Sequence, residues 1–460
     1  MQIQKINEIA FSYINNLGLK SIEFDTWVFF FTEWLGLWLI AGVIFFSFFK
    51  ISFKEKRIKF SIHSPKQALK KVFIILISAF SVWLVTQLFN YFYYSPRPFL
   101  ILKDITPFFE HGGVDSFPSG HTAFYTTIAT ILYFNNKKWG SIYFILAILI
   151  GFSRVVAGIH WPLDILGGVL FGLVGGILIV KILSKKKVNG RKIKDKIKSE
   201  LKRKIKKLDK QLSIAVFMVG DDYATKKFIN TKKKFADGLG VDIKVFNFSE
   251  EVSQKDLEES IKTESENFDG IIVQLPLPKH IDTKKILNLI PKEKDIDVLS
   301  EEAFESFKNQ KSEVLPPVVG AIAEIFERSF WGVDYISGKN VVVVGRGVLV
   351  GLPASIWFEN MGGRVIVVDE HTEDISIHTK KADIIVTGAG VPNLIKPKMI
   401  KRGVIIFDAG TSESKGKLAG DVDPNCIKKA KLFTPVPNGI GPITVAVLYK
   451  NLLKLSKLND

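Results

Sequence analysis

Bilayer-length apolar runs occupy the first 183 residues of this 460-residue chain and do not recur after them. The chain must therefore fold as a membrane part followed by a water-soluble part. Crossing hydrocarbon takes about 20 consecutive apolar residues, because every backbone polar group inside it has to be satisfied within its own helix. Segments 27–49, 72–94 and 163–183 reach that length, and the shorter segments 122–134 and 142–152 read as two further spans ending in polar residues. Residues 1–25 are amphipathic and are expected to lie on the membrane surface. The expected fold of residues 1–185 is an all-α transmembrane bundle of about five spans.

Charge sets the orientation. The net charge of +17 is concentrated in residues 50–71 and 185–210, beside apolar segments. Lys54, Lys56, Arg57, Lys59, Lys66, Lys70 and Lys71 make the first loop cytoplasmic by the positive-inside rule. Lys137, Lys138, Lys185, Lys186 and Lys187 then fall on the same side, while loops 97–121 and 154–160 fall outside. Whatever follows residue 183 is expected in the cytosol. No nucleic-acid recognition motif accompanies the basic charge, so no nucleic-acid partner is expected. The single cysteine, Cys426, precludes an internal disulfide or a thiolate metal cluster. A cleavable signal peptide is not expected either, because Lys5, Glu8, Asn15 and Asn16 interrupt the N-terminal apolar residues.

Three polar clusters interrupt the apolar region: Ser95-Pro96-Arg97-Pro98, Pro118-Ser119-Gly120-His121, and Ser153-Arg154 followed by His160 and Asp164. Ionisable residues beside spans are costly and functional by default, and all three clusters fall on the same expected face. Two arginines suit a phosphate, which accepts bidentate, charge-assisted hydrogen bonds. Two histidines can divide the work of nucleophile and general acid, and a carboxylate four residues after His160 can orient its ring.

These residues resemble the type 2 phosphatidic acid phosphatase family, whose pattern runs K-x6-R-P, then P-S-G-H, then S-R-x5-H-x3-D. The second and third elements match in full. The resemblance implies that His160 attacks phosphorus to give a phosphohistidine, with Asp164 behind it and His121 protonating the leaving group. It implies that Arg97, Ser119, Gly120 and Arg154 hold the phosphoryl oxygens. At the family's lysine position stands Asn90, which can donate a hydrogen bond to phosphate but supplies no charge. No metal is expected to be required, since arginines and histidines provide the charge. A membrane lipid phosphate is the implied substrate. The implied setting is a bacterial cytoplasmic membrane, with this site facing outward.

Beyond Val188-Asn189-Gly190 comes a cationic stretch with Ile193, Ile197, Leu201 and Ile205 at four-residue spacing. It reads as a helix docked on a core with its basic face solvated; attraction of that face to the anionic inner leaflet is the alternative. Strands are then expected at 213–219, 270–273, 340–344, 364–368, 383–386 and 403–407, as Val/Ile runs suited to parallel sheets buried on both faces. They alternate with helical stretches, which gives an α/β unit of two domains. The second domain opens on V-V-V-V-G-R-G-V-L-V-G-L-P from Val341 to Pro353, a buried strand ending in glycines that let a pyrophosphate approach.

Val219-Gly220-Asp221-Asp222, the A-T-K-K-F-I-N-T-K run from Ala224, I-V-Q-L-P-L-P from Ile272, K-D-I-D ending at Asp297 and T-P-V-P-N-G-I-G-P-I-T from Thr434 resemble the bifunctional methylenetetrahydrofolate dehydrogenase/cyclohydrolase family. The resemblance implies a folate-binding α/β domain over 188–318, completed by a C-terminal helix at 443–457, and a Rossmann-type NAD(P)-binding domain over 319–442. It makes Lys232 the catalytic lysine, Gln274 its polar partner and Asp297 the carboxylate that grips the pterin, with Phe228 beside them where the family has tyrosine. A desolvated lysine suits proton shuttling because its pKa can fall toward neutrality. Gly345, Arg346, Gly347, Gly351 and Thr411 fall where the family binds the dinucleotide. Asp369 and Glu370 end the next strand, at a spacing that suits ribose hydroxyls, so NAD is favoured over NADP. Other departures are Gly347 in place of a serine, Val298 where glycine is common, and Pro317-Val318-Val319 in place of C-T-P. The expected activities are NAD(P)-dependent oxidation of methylenetetrahydrofolate and cyclohydrolysis of the methenyl product, in a homodimer formed through the soluble half. The alternative is a lipid phosphatase whose soluble half is a catalytically degenerate binding or dimerisation module.

Overall fold

The computed structural model describes the chain apart from residues 1, 19–20, 55–56, 63–64, 103, 109–112, 185–186, 222, 415–416 and 458–460. Lys56, Lys185 and Lys186, three of the cations that set the expected orientation, lie outside the described residues, as does Asp222. Two compact units result, Met1–Leu183 and Ser184–Asp460.

The first unit runs α1 (Gln2–Asn15), α2 (Ile22–Phe48), a hairpin of β1 (Phe49–Lys54) and β2 (Arg57–Ile62), α3 (Pro65–Phe92), α4 (Gly120–Asn135), α5 (Lys137–Val156) and α6 (Pro162–Leu183). Among the described residues four helices, α2, α3, α5 and α6, hold an apolar stretch long enough to cross a membrane. The remaining apolar helix, α4, has 16 residues. It packs against α3, α5 and α6 and is buried over nearly all of residues 122–131, so protein rather than lipid surrounds it. Gly168, Gly172 and Gly176 let α6 approach α4 closely. A Cβ at these positions would lie 2.6–2.7 Å from Ser119 O, Thr126 Cβ and Thr130 Cβ, which is close packing through small residues.

The first helix differs from the expectation of a segment resting on the membrane surface. Asn15 Nδ2 donates to Val156 O at 2.8 Å, Asn7 Oδ1 accepts from Leu163 N at 3.1 Å, and Phe11 is buried 5.0 Å from the Trp161 ring. Its other face leaves Ile3, Ile6, Ile9 and Tyr13 exposed. The helix is therefore bound to protein through its Asn7, Phe11 and Asn15 face and leaves an apolar face uncovered.

The second unit begins with α7 (Gly190–Ile205), capped by Asn189, with Ile197, Leu201 and Ile205 buried and Arg191, Lys192, Lys196, Lys202, Arg203 and Lys204 exposed. A three-stranded parallel sheet follows, built from β3 (Ser213–Val219), β4 (Asp242–Phe248) and β5 (Gly270–Val273) in the order β4-β3-β5. Helices α8 (Tyr223–Asp237), α9 (Gln254–Ser265) and α10 (Pro317–Arg328) accompany it. Next, β6 (Asn340–Val344), α11 (Gly351–Asn360), β7 (Arg364–Val368), β8 (Ile384–Thr387), β9 (Ile405–Asp408) and β10 (Leu432–Phe433) form a five-stranded parallel sheet. Its order is β10-β9-β8-β6-β7. The last helix, α12 (Gly441–Ser456), returns to pack on α7, α8 and α10. The six expected strands are present, and β4 and β10 add to them. In β4 the run Asp242-Ile243-Lys244-Val245-Phe246-Asn247-Phe248 leaves Asp242, Lys244 and Asn247 exposed on an edge strand, so it lacks the continuous Val/Ile run that marks the others.

Candidate active sites

In the first unit the polar clusters converge at one end of the helices: the loop after α3, the start of α4, the end of α5 and the start of α6. The spacing of four brings Asp164 beneath His160, with Oδ2 3.3 Å from Nδ1. Trp161 N donates to that same oxygen at 2.7 Å, and Ser116 Oγ donates to it while standing 3.3 Å from His160 Nδ1. Nδ1 thus faces the carboxylate, and Nε2 is turned toward Arg97, 3.4 Å from its Nη1. That guanidinium is fixed by donation to Ile159 O at 2.8 Å. Arg154 is almost wholly buried, yet among the described residues its Nε and Nη1, like Nε of Arg97, have no acceptor. Buried guanidinium groups lacking acceptors are what an anion would satisfy.

Ser119 caps α4 through Thr122 N, and its own N–H donates to Asp164 O at 3.0 Å, which ties the second motif to the third. Gly120, His121, Arg97, Arg154 and His160 line one cavity of about 430 Å³. Asn90 lines it too. With its amide nitrogen facing them, the carbonyls of Phe117 and Thr86 lie 2.5 and 3.0 Å away, so that nitrogen is engaged with backbone. Motif reading missed Ser116. Its only signal was position, two residues before Pro118 on the same loop.

In the second unit α8 carries Lys232, which is buried and donates from Nζ to Gln274 Oε1 at 3.1 Å. The ammonium also sits 4.9 Å from the centroid of the Phe228 ring, a cation–π contact that needs no hydroxyl. Gln274 follows the end of β5, and its backbone N–H donates to Phe217 O. Asp297 lies on a loop shaped by Asp295, whose buried carboxylate accepts from the N–H groups of Val298, Leu299 and Ser300 at 2.7–2.9 Å. Val298 adopts φ 59°, which explains why glycine suits that position and marks local strain in a β-branched residue. Burial pushes the Lys232 pKa down against the opposing pull of Asp297; burial likewise pushes Asp297 up while Lys232 holds it down. Phe228, Lys232, Gln274, Asp297, Pro317 and Val318 line a single pocket of about 150 Å³, which Val348 and Leu349 of the second domain also reach.

The dinucleotide positions gather where β6 meets α11. Gly345 has φ 101° and a Cβ there would press on Gly388 O at 2.9 Å; one at Gly351 would fall 2.0 Å from Gly345 O. Nothing lies within 4 Å of a Cβ at Gly347, so open space faces it. Arg346 Nε donates to Asp369 Oδ2, and Asp369 Oδ1 accepts from His371 N and Thr372 Oγ1. The ion pair holds Asp369 below the usual carboxylate range. Glu370 and Thr411 are exposed nearby in sequence terms, without a role fixed by packing.

Comparison with known proteins agrees with this division. The NAD(P)-binding domain of tetrahydrofolate dehydrogenase/cyclohydrolase matches residues 316–460, its catalytic domain matches residues 188–297, and the PAP2 superfamily matches residues 68–187. The bifunctional protein FolD of Nitratiruptor is 39% identical over 281 residues, covering 60% of this chain and 98% of that protein. The crystal structure of the FolD enzyme of Campylobacter jejuni is similar with 33% identity and a TM-score of 0.58, over 60% of this chain and 99% of that one. The Trypanosoma brucei enzyme, solved with NADP and an inhibitor, gives 31% identity and a TM-score of 0.56, over 59% and 97%. Through its second unit the chain belongs to the bifunctional tetrahydrofolate dehydrogenase/cyclohydrolase family, and an enzymatic domain of the PAP2 phosphatase superfamily precedes that unit.

Proposed function

We propose that the chain hydrolyses a lipid phosphate through a phosphohistidine in its first unit and runs both folate reactions in its second. The observation that carries the first half is the pair of buried arginines whose Nε atoms find no acceptor among the described residues, beside a histidine held by Asp164. In this reading Nδ1–H of His160 donates to Asp164, and the lone pair on Nε2 attacks phosphorus. The bond to the leaving oxygen breaks, and His121 supplies the proton that oxygen takes up. Water, deprotonated by His121, then attacks the phosphohistidine and frees inorganic phosphate. Arg97 and Arg154 meet the developing charge, so no metal is needed for that purpose.

In the second unit Phe228 and Asp297 hold the pterin, and Lys232, desolvated and bonded to Gln274, moves protons as water opens the methenyl bridge. A bound nicotinamide would accept the hydride of methylenetetrahydrofolate. Gly347 faces open space that its pyrophosphate could occupy, while Gly345 and Gly351 let the backbone pack closely where β6 meets α11. The Arg346–Asp369 pair supports NAD: it sets a carboxylate beside Arg346 at the end of β7, where a 2′-phosphate would meet like charge. We place the phosphatase site outside a bacterial cytoplasmic membrane and the folate unit in the cytosol, as a homodimer, with the exposed cations of α7 toward anionic lipid. We set the domain limits at 188–318 with 443–457 and at 319–442; the presence of two separate parallel sheets supports a two-domain division.

The test uses full-length protein in native membrane vesicles. Reduction of NAD by methylenetetrahydrofolate should exceed that of NADP in kcat/KM, and protease outside intact cells should spare the folate unit. A clear NADP preference would mean that Arg346 leaves Asp369 for the cofactor. Release of the folate unit by external protease would overturn the orientation.

A further inference from the structure

The lysine missing from the first phosphatase motif leaves a gap that Asn90 does not fill, since its amide nitrogen is turned to the carbonyls of Phe117 and Thr86. One turn and two turns earlier on α3, Gln87 and Trp83 line the same cavity as Arg97, His121, Arg154 and His160. Their nitrogens converge on the first residue of α4: a Cβ at Gly120 would lie 3.0 Å from both Gln87 Nε2 and Trp83 Nε1. Gly120 opens α4 directly after its Ser119 cap, at the partial positive end of the helix dipole. Gln87 stands near the C-terminal end of the α3 span, where an amide is costly unless something polar meets it.

We propose that Gln87 Nε2 and Trp83 Nε1 take over from the absent lysine, donating two neutral hydrogen bonds to the phosphoryl group beside Gly120. This proposal rests on the phosphatase reading of the cavity. Because the replacement donors carry no charge, phosphate is held at this edge by directed hydrogen bonds, and the permanent cationic charge comes from Arg97 and Arg154. Binding at this edge should therefore depend on the shape of the donor pair.

The experiment measures KM and kcat for a short-chain phosphatidate, and the competitive inhibition constant of inorganic phosphate, with full-length protein in detergent. Removing one hydrogen bond to a charged group corresponds to about a tenfold loss or more. Gln87→Ala should raise KM and the phosphate constant together by about that factor, with kcat changed less. Trp83→Phe, which keeps the ring and removes the donor, should do the same. Gln87→Lys should lower the phosphate constant below wild type, and Asn90→Lys should restore binding in the Gln87→Ala background. An unchanged phosphate constant in both Gln87→Ala and Trp83→Phe, with wild type active, would overturn the proposal and leave the phosphatase reading standing. A loss confined to kcat in both variants would also overturn it, pointing to packing against Gly120. A wild-type protein that neither cleaves lipid phosphates nor binds inorganic phosphate would remove the reading and the proposal together.

Discussion

Replacing Gln274 by methionine isolates how Lys232 is tuned. The two side chains have similar length and bulk, so the pocket keeps its shape while Lys232 Nζ loses the oxygen that now lies 3.1 Å away. A hydrogen bond to the ammonium is worth about 1.5–3 kcal/mol and one to the neutral amine about 1 kcal/mol. The charged form therefore loses about 1 kcal/mol more than the neutral form. At about 1.4 kcal/mol per pKa unit, the Lys232 pKa should fall by roughly one unit below a value that burial already depresses. The neutral amine is the form that accepts a proton, so the acidic limb of cyclohydrolase kcat/KM should move to lower pH by about that amount. The assay is the disappearance of methenyltetrahydrofolate across a pH series, with full-length protein and the spontaneous reaction subtracted. A limb that stays in place or moves to higher pH would refute the view that Gln274 stabilises the protonated lysine.

Two other substitutions probe the positioning groups. Asp164→Asn should lower phosphate release by about 10²–10⁴-fold by freeing the His160 tautomer, with EDTA leaving the wild-type rate unchanged; near-wild-type turnover in the variant would remove Asp164 from the mechanism. Phe228→Tyr should raise cyclohydrolase kcat by up to about tenfold, because a phenol would restore a donor above Lys232 where only a ring now sits; a slower variant would show that the pocket is adapted to the bare ring.

The sequence made legible whatever short-range geometry decides. His160 and Asp164 are one helical turn apart, so their contact follows from spacing, and Lys232 and Gln274 are joined by parallel strand–helix connections that motif order implies. What escaped it depends on long-range packing. Ser116 becomes a partner of Asp164 only because the second-motif loop folds back over α6. Arg346 and Asp369 read as opposing influences on the cofactor, yet 23 positions apart in sequence they come together as a pair. Asn90 reads as a donor to phosphate until backbone carbonyls on two elements engage its nitrogen. The 16-residue α4 reads as a lipid-facing span until three neighbouring helices enclose it.

The central claim is that one polypeptide holds two independent chemistries. A single preparation of full-length protein, assayed for phosphate release from lipid phosphate and for hydrolysis of methenyltetrahydrofolate, tests it with two variants. His160→Ala should abolish the first activity and leave the second at the wild-type rate, and Lys232→Met should do the reverse. Absence of either activity from the wild type, or loss of both on either single substitution, would contradict the account.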